Sequence, residues 1–146
     1  MSVRLEESTD IHRPADEVFA YISNVDNFPT WAGPVVEVRR TSSGPLVAGQ
    51  TFTLVQKFLG RRFETPCEVT EVEPSRRFAF RSTGGPFPLS FTYTCEPSAA
   101  GTRFTEVGEG EPGSFFKLVG PLFEKAASRQ FRNDAETLKE LLEAAA

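Results

Sequence analysis

The sequence predicts an α+β domain, and three observations carry that prediction. Between Gly44 and Gly110, runs of alternating apolar and polar residues follow one another, each bounded by Gly, Pro or Ser. The loops between them are far shorter than the dozen or more residues of a parallel crossover, so neighbouring strands are antiparallel. From Ser114 to Ala146 the pattern changes to the helical period: Phe116, Val119, Phe123, Ala127, Phe131, Ala135, Leu138 and Leu142 fall on one face, with charged residues mainly on the other. No other segment offers a helical partner of that length, so this terminal helix must lie on a sheet.

The chain opens with a half-buried strand in which Val3 and Leu5 alternate with Ser2, Arg4 and Glu6. Pro14 suits the first turn of a short helix, Asp16 and Glu17 complement its dipole, and Val18, Phe19, Tyr21 and Ile22 form its apolar side, up to Ser23-Asn24. Asp26 to Trp31 allows a single turn ending on a buried Trp31, because Pro29 restricts Phe28 and removes a donor. After Gly33-Pro34, strands are expected over Val35 to Arg40, Gly49 to Phe58, Arg61 to Glu73, Arg76 to Ser82, Leu89 to Glu96 and Thr102 to Glu109, seven in all with the first. Pro66 inside the third of these suggests a bulge or an edge position. The last helix is expected to open on Ser114 as N-cap, with Gly120-Pro121 breaking its first turns beside Phe115, Phe116 and Leu118.

Residues 1–146 read as one domain, long enough to bury a core without metal or disulfide staples. Net charge is -4 and the basic residues are dispersed, which argues against a nucleic-acid partner. Neither a membrane-spanning apolar run nor a signal-type leader is found, so stable membrane insertion is not expected and the predicted location is cytoplasmic. Cys67 and Cys95 read as free thiols on strands. The single histidine, His12, reads as a solvated loop residue, and no metal or other cofactor is expected. The compositional excess is aromatic, with 14 Phe against 2 Tyr and 1 Trp, enough to fill a core and also to line a cavity.

Ile11-His12-Arg13-Pro14-Ala15-Asp16-Glu17-Val18-Phe19-Ala20-Tyr21-Ile22, followed by Phe28-Pro29-Thr30-Trp31, resembles the opening of the START-like SRPBCC superfamily and its polyketide cyclase/dehydrase-type members. Val69 to Pro74 running into Arg76-Arg77-Phe78, then Gly101 to Thr105 and Leu138 to Glu143, match in order, so the resemblance spans essentially the whole chain. It implies a helix-grip fold: a curved seven-stranded antiparallel sheet around the long C-terminal helix, two short helices between the first two strands, and a cavity between sheet and helix. Superfamily members bind lipids, sterols, quinones, hormones or polyketides, and some are enzymes. The matched pieces are scaffold and bring no catalytic motif with them.

Alternation selects the lining of such a cavity: Phe52, Leu54 and Gln56 on one strand, Phe78 and Phe80 on another, Phe91 and Tyr93 on a third, Phe104 and Glu106 on the last. From the helix come Phe116, Phe123, Ala127 and Gln130. Gln56, Tyr93, Glu106 and Gln130 are the polar members of apolar rows, the pattern of a specific small-molecule site. A Glu106 buried among phenylalanines would be desolvated and could serve as a general acid or base, or anchor a ligand hydroxyl. The leading expectation is a monomeric or weakly dimeric binding or carrier protein for a small hydrophobic or amphipathic molecule such as a lipid, isoprenoid, quinone or aromatic polyketide. The alternative is a cyclase or dehydratase using Glu106 and Tyr93, and the third a protein-interaction module.

Overall fold

A computed structural model describes residues 2–113, 115–116 and 121–145. Seven strands form one antiparallel sheet: β1 (Val3–Ile11), β2 (Val35–Arg40), β3 (Thr51–Phe58), β4 (Arg61–Glu73), β5 (Arg77–Ser82), β6 (Leu89–Ser98) and β7 (Gly101–Gly110). Their spatial order is β1-β7-β6-β5-β4-β3-β2, so every connection after β2 is between neighbours and only β1 pairs at long range, Val3 opposite Gly110. Between β1 and β2 lie α1 (Ala15–Ser23), a 3-10 turn (Val25–Asn27) and the single-turn α2 (Phe28–Trp31). The last element is α3 (Pro121–Ala144), which packs on β1 and touches α2. This is the helix-grip arrangement.

The local reasons are largely those of the sequence. Pro14 sits at the N-cap of α1, where its missing N–H costs nothing, and the helix buries Val18, Phe19 and Ile22 against the sheet. Phe28 and Trp31 project from α2 into the centre of the molecule, both essentially inaccessible. Around them the inward members of the sheet alternation, Phe52, Leu54, Phe78, Phe80, Tyr93, Cys95 and Phe104, close a solid core with Leu138 and Leu142 of α3. The two cysteines are buried and free, and burial pushes both thiols up to about 12, which leaves them unreactive.

Two local expectations are corrected. β4 is an internal strand and its register shifts between Val69 and Glu71, not at Pro66. Pro66 is tolerated because its ring nitrogen faces beyond the end of β5, where its carbonyl accepts from Thr83 N in the following loop. The terminal helix begins at Pro121, several residues after the expected Ser114. Phe115 and Phe116 lie in a bend, held by the Arg61 guanidinium, which donates to Phe115 O at 2.6 Å and lies 4.2 Å from the Phe115 ring centroid. The described helix runs from Pro121, whose fixed φ suits a first helical turn. Ser114, Leu118, Val119 and Gly120 lie outside the described residues.

Candidate ligand cavity

The phenylalanines divide into two groups. The inner group surrounds Phe28, whose ring lies 5.6–6.3 Å from those of Trp31, Phe52, Phe80 and Tyr93. Phe104 joins it through Trp31 and Tyr93, at 5.9 and 5.8 Å. The outer group, Phe58, Phe63, Phe87, Phe115, Phe116 and Phe123, forms its own edge-to-face network with centroids 5.0–6.1 Å apart. Phe91 extends the inner group towards α3, 5.4 Å from Phe80 and 6.1 Å from Phe131.

A cavity of about 110 Å³ lies in the outer group, between the N-terminal half of α3 and the sheet. Its walls are Phe58, Phe63, Phe87 and Phe91 from the sheet side, Phe116, Phe123, Ala127 and Phe131 from the helix side, and Val3 and Leu5 of β1. Gly108 makes room for it. It occupies an inward position of β7, and a Cβ there would stand 2.5 Å from Phe131 Cζ and 3.1 Å from Phe91 Cε1. Only a residue without a side chain lets the Phe131 ring settle against the sheet.

Two side chains with uncharged polar ends line the space, and each is fixed by a partner behind it. Thr65 Oγ1, fully buried, donates to Gln56 Oε1 at 2.7 Å. Gln130 Nε2 donates to Asp134 Oδ1 at 2.8 Å, one turn further along α3, and the same oxygen accepts Gly33 N at 3.0 Å. Asp134 thereby ties α3 to the loop after α2, and its burial pushes its carboxyl up to about 6 against the lowering effect of those two donors.

The structure thus distributes the residues expected to line a site. Gln56, Phe91, Phe116, Phe123, Ala127 and Gln130 come together at the cavity. Phe52, Leu54, Phe78, Phe80, Tyr93, Phe104 and Glu106 do not border it; they are buried in the inner core, most of them packed around Phe28 and Trp31 of α2. Glu106 stands opposite Tyr93 across β7 and β6 and is 2 % exposed. Its Oε1 and Trp31 Nε1 have no hydrogen-bond partner among the described residues. Burial, then the charges of Asp134 and Glu7, holds the Glu106 carboxyl well above the usual carboxylate range. Burial and the same acidic neighbours Glu106 and Asp134 also raise the Tyr93 phenol. His12 is exposed in the bend before α1, its backbone N–H on Glu143 Oε2 at 3.0 Å.

Several cavity residues escaped the sequence reading. Phe87 stands in a loop, where alternation gives no direction, whereas Phe63 shares the inward row of β4 with Thr65, Cys67 and Val69 and could have been found from it. Phe58 and Phe131 lay in rows already read as apolar. The i, i+4 spacing of Gln130 and Asp134 was the available signal for their pairing. Among the described residues, no helix is long and apolar enough to cross a membrane, and no cluster of three or more His, Cys, Asp or Glu could hold a metal ion.

No functionally curated protein matches the chain in sequence. Among solved structures, a START superfamily protein of Mycobacterium smegmatis superposes with a TM-score of 0.83 at 13% identity, over 98% of this chain and 99% of that one. The ZhuI aromatase/cyclase of Streptomyces sp. R1128 gives 0.77 at 18% identity, over 98% and 94%. A polyketide-cyclase-like protein of Corynebacterium glutamicum is 26% identical, with a TM-score of 0.63 over 99% and 94%. These likenesses agree with the curved antiparallel sheet gripping α3. Since residues 2–143 also match the family profile described as polyketide cyclase/dehydrase and lipid transport, the chain belongs to that family.

Proposed function

We propose that the protein binds a small hydrophobic or amphipathic molecule in the cavity between α3 and the sheet, as a carrier or receptor and not as a catalyst. One observation carries the reading: the cavity is walled almost wholly by aromatic and aliphatic side chains, with two amide groups fixed by buried partners. Apolar walls with a few oriented polar groups are the usual make-up of a small-molecule site. The buried Glu106, its carboxyl pushed well up by desolvation, would be the natural acid for a cyclase, yet it does not border the cavity, and this favours binding over catalysis. At about 110 Å³ the cavity suits a single ring; a lipid or polycyclic ligand would need the outer phenylalanines to move. The test is native mass spectrometry of the purified protein with titration of a hydrophobic fluorescent probe. Retention of a small molecule or saturable probe binding supports the reading, and neither being seen refutes it.

Two variants give the test its structural content. Gly108→Val puts a branched side chain where Phe131 sits, and is expected to weaken probe binding by at least about tenfold while the thermal transition stays cooperative. Arg61→Ala removes the hydrogen bond and the cation–π contact to Phe115 and leaves its ring contacts with Phe63, Phe87 and Phe116. Its stability cost is expected to stay near about 1 kcal/mol, because the guanidinium is exposed. Probe dissociation, measured by stopped flow, should become several-fold faster. An unchanged rate would show that the Phe115-Phe116 bend does not control access.

A further inference from the structure

We infer that Gln56 and Gln130 make the cavity selective for an uncharged, flat apolar molecule carrying one hydroxyl-type donor and one carbonyl-type acceptor, and make it reject anions. This inference rests on the ligand-binding reading and adds its chemistry. The two amides are held in opposite senses. Asp134 Oδ1 already accepts Gly33 N, so it is an acceptor towards Gln130 too; the Gln130 NH2 must turn to it, which leaves Oε1 as the atom free to accept from a ligand. At Gln56 the Oε1 is taken by the Thr65 hydroxyl, and Nε2 remains as the donor. Among the described residues neither Gln130 Oε1 nor Gln56 Nε2 has a protein partner, so an apolar ligand would bury both unsatisfied.

Charge points the same way. The only ionisable side chain among the described lining residues is the exposed Glu109. No Arg, Lys or His among them lines the cavity, so a carboxylate or phosphate would be desolvated against phenyl rings without a counter-charge in the wall. A neutral ligand meets no such cost. The rings on both walls favour a flat body that stacks. Gln130 and Gln56 are then the specificity-determining residues, with Asp134 and Thr65 acting through them as positioning residues.

The experiment uses one-ring probes sized to the cavity as it stands: meta-hydroxyacetophenone, acetophenone, meta-cresol, ethylbenzene and meta-hydroxybenzoate, titrated at pH 7 by calorimetry or ligand-observed NMR. The expected order places meta-hydroxyacetophenone first, the two single-function probes each weaker by about five- to tenfold, and meta-hydroxybenzoate last. Gln130→Leu should cost meta-cresol more affinity than acetophenone, and Gln56→Leu the reverse. Thr65→Val leaves both glutamines in place but frees the Gln56 amide to turn over, and should narrow the preference for acetophenone-type acceptors. Affinities that follow hydrophobicity alone, with ethylbenzene as tight as meta-hydroxyacetophenone, overturn the inference and leave ligand binding standing. So does meta-hydroxybenzoate binding as well as its neutral analogue. If no one-ring probe binds, the inference falls, and the ligand-binding reading falls with it when native mass spectrometry and the fluorescent probe are also negative.

Discussion

Phe28→Ala is expected to lower the free energy of unfolding by about 3–5 kcal/mol, the range for deleting a fully enclosed phenyl ring. Phe28 is 1 % exposed and touches rings from three strands and from its own helix turn, so no neighbour can collapse into the space without leaving its own partners. Because α2 is a single turn, its position depends on this anchor more than on its own hydrogen bonds. The matched comparison is Phe123→Ala, which removes a half-buried ring from the cavity wall and should cost less than half as much. Urea unfolding of both variants decides the matter. Equal losses would mean that the inner and outer phenylalanines form one continuous core, and the division between scaffold and ligand wall would fail. The expected difference would show instead that seven of the residues which alternation aims inward serve stability, with Phe28 and Trp31 as the wedge that makes them core.

That wedge marks the limit of what can be read from sequence here. Alternation in β3, β5, β6 and β7 assigned the inward faces correctly, because a sheet with one covered face has a period of two that no single exception disturbs. It could not say what fills the concavity opposite each residue. Phe28-Pro29-Thr30-Trp31 was legible as a turn ending on a buried tryptophan, but not as the centre of the inner core, since its direction is set by α1 and by the loop through Gly33 that Asp134 holds. The start of the last helix was misplaced for a related reason. Phe116 continues the helical period, yet Phe115 and Phe116 are bound to Phe58, Phe63 and Arg61 of the β3-β4 hairpin, and tertiary contacts override a local pattern. Gly108 could be placed on the inward face but its purpose could not, because the ring it admits comes from α3.

The fall of stability with rising pH should be the second large effect, and Glu106 and Asp134 are its source. Asp134 of α3, Glu7 of β1 and Tyr93 of β6 are the titratable groups that interact with Glu106, and none of them is a cation. Both carboxyls have folded pKa values above their unfolded ones, so in the interval between the two values the native state binds more protons than the unfolded chain, and stability must decrease as pH rises. For Asp134 that interval runs from 3.8 to about 6, which makes the loss on the order of 3 kcal/mol by pH 7. For Glu106 the decline continues at higher pH, because its folded value lies well above the ordinary one. The whole-protein curve also contains the exposed carboxylates, so the informative quantity is a difference. Glu106→Gln abolishes one titration while keeping the shape, and the stability of the variant minus that of the parent should increase as pH rises above the ordinary glutamate range. A difference that stays constant there would mean that Glu106 ionises at an ordinary pH in the folded protein, with water or a bound group beside Oε1. Asp134→Asn separates the second contribution: its difference from the parent should change mainly between pH 4 and pH 6 and then level off. Since Asp134 orients Gln130, the same variant should also loosen the cavity's polar contact, which would link the protonation of the core to what the cavity holds.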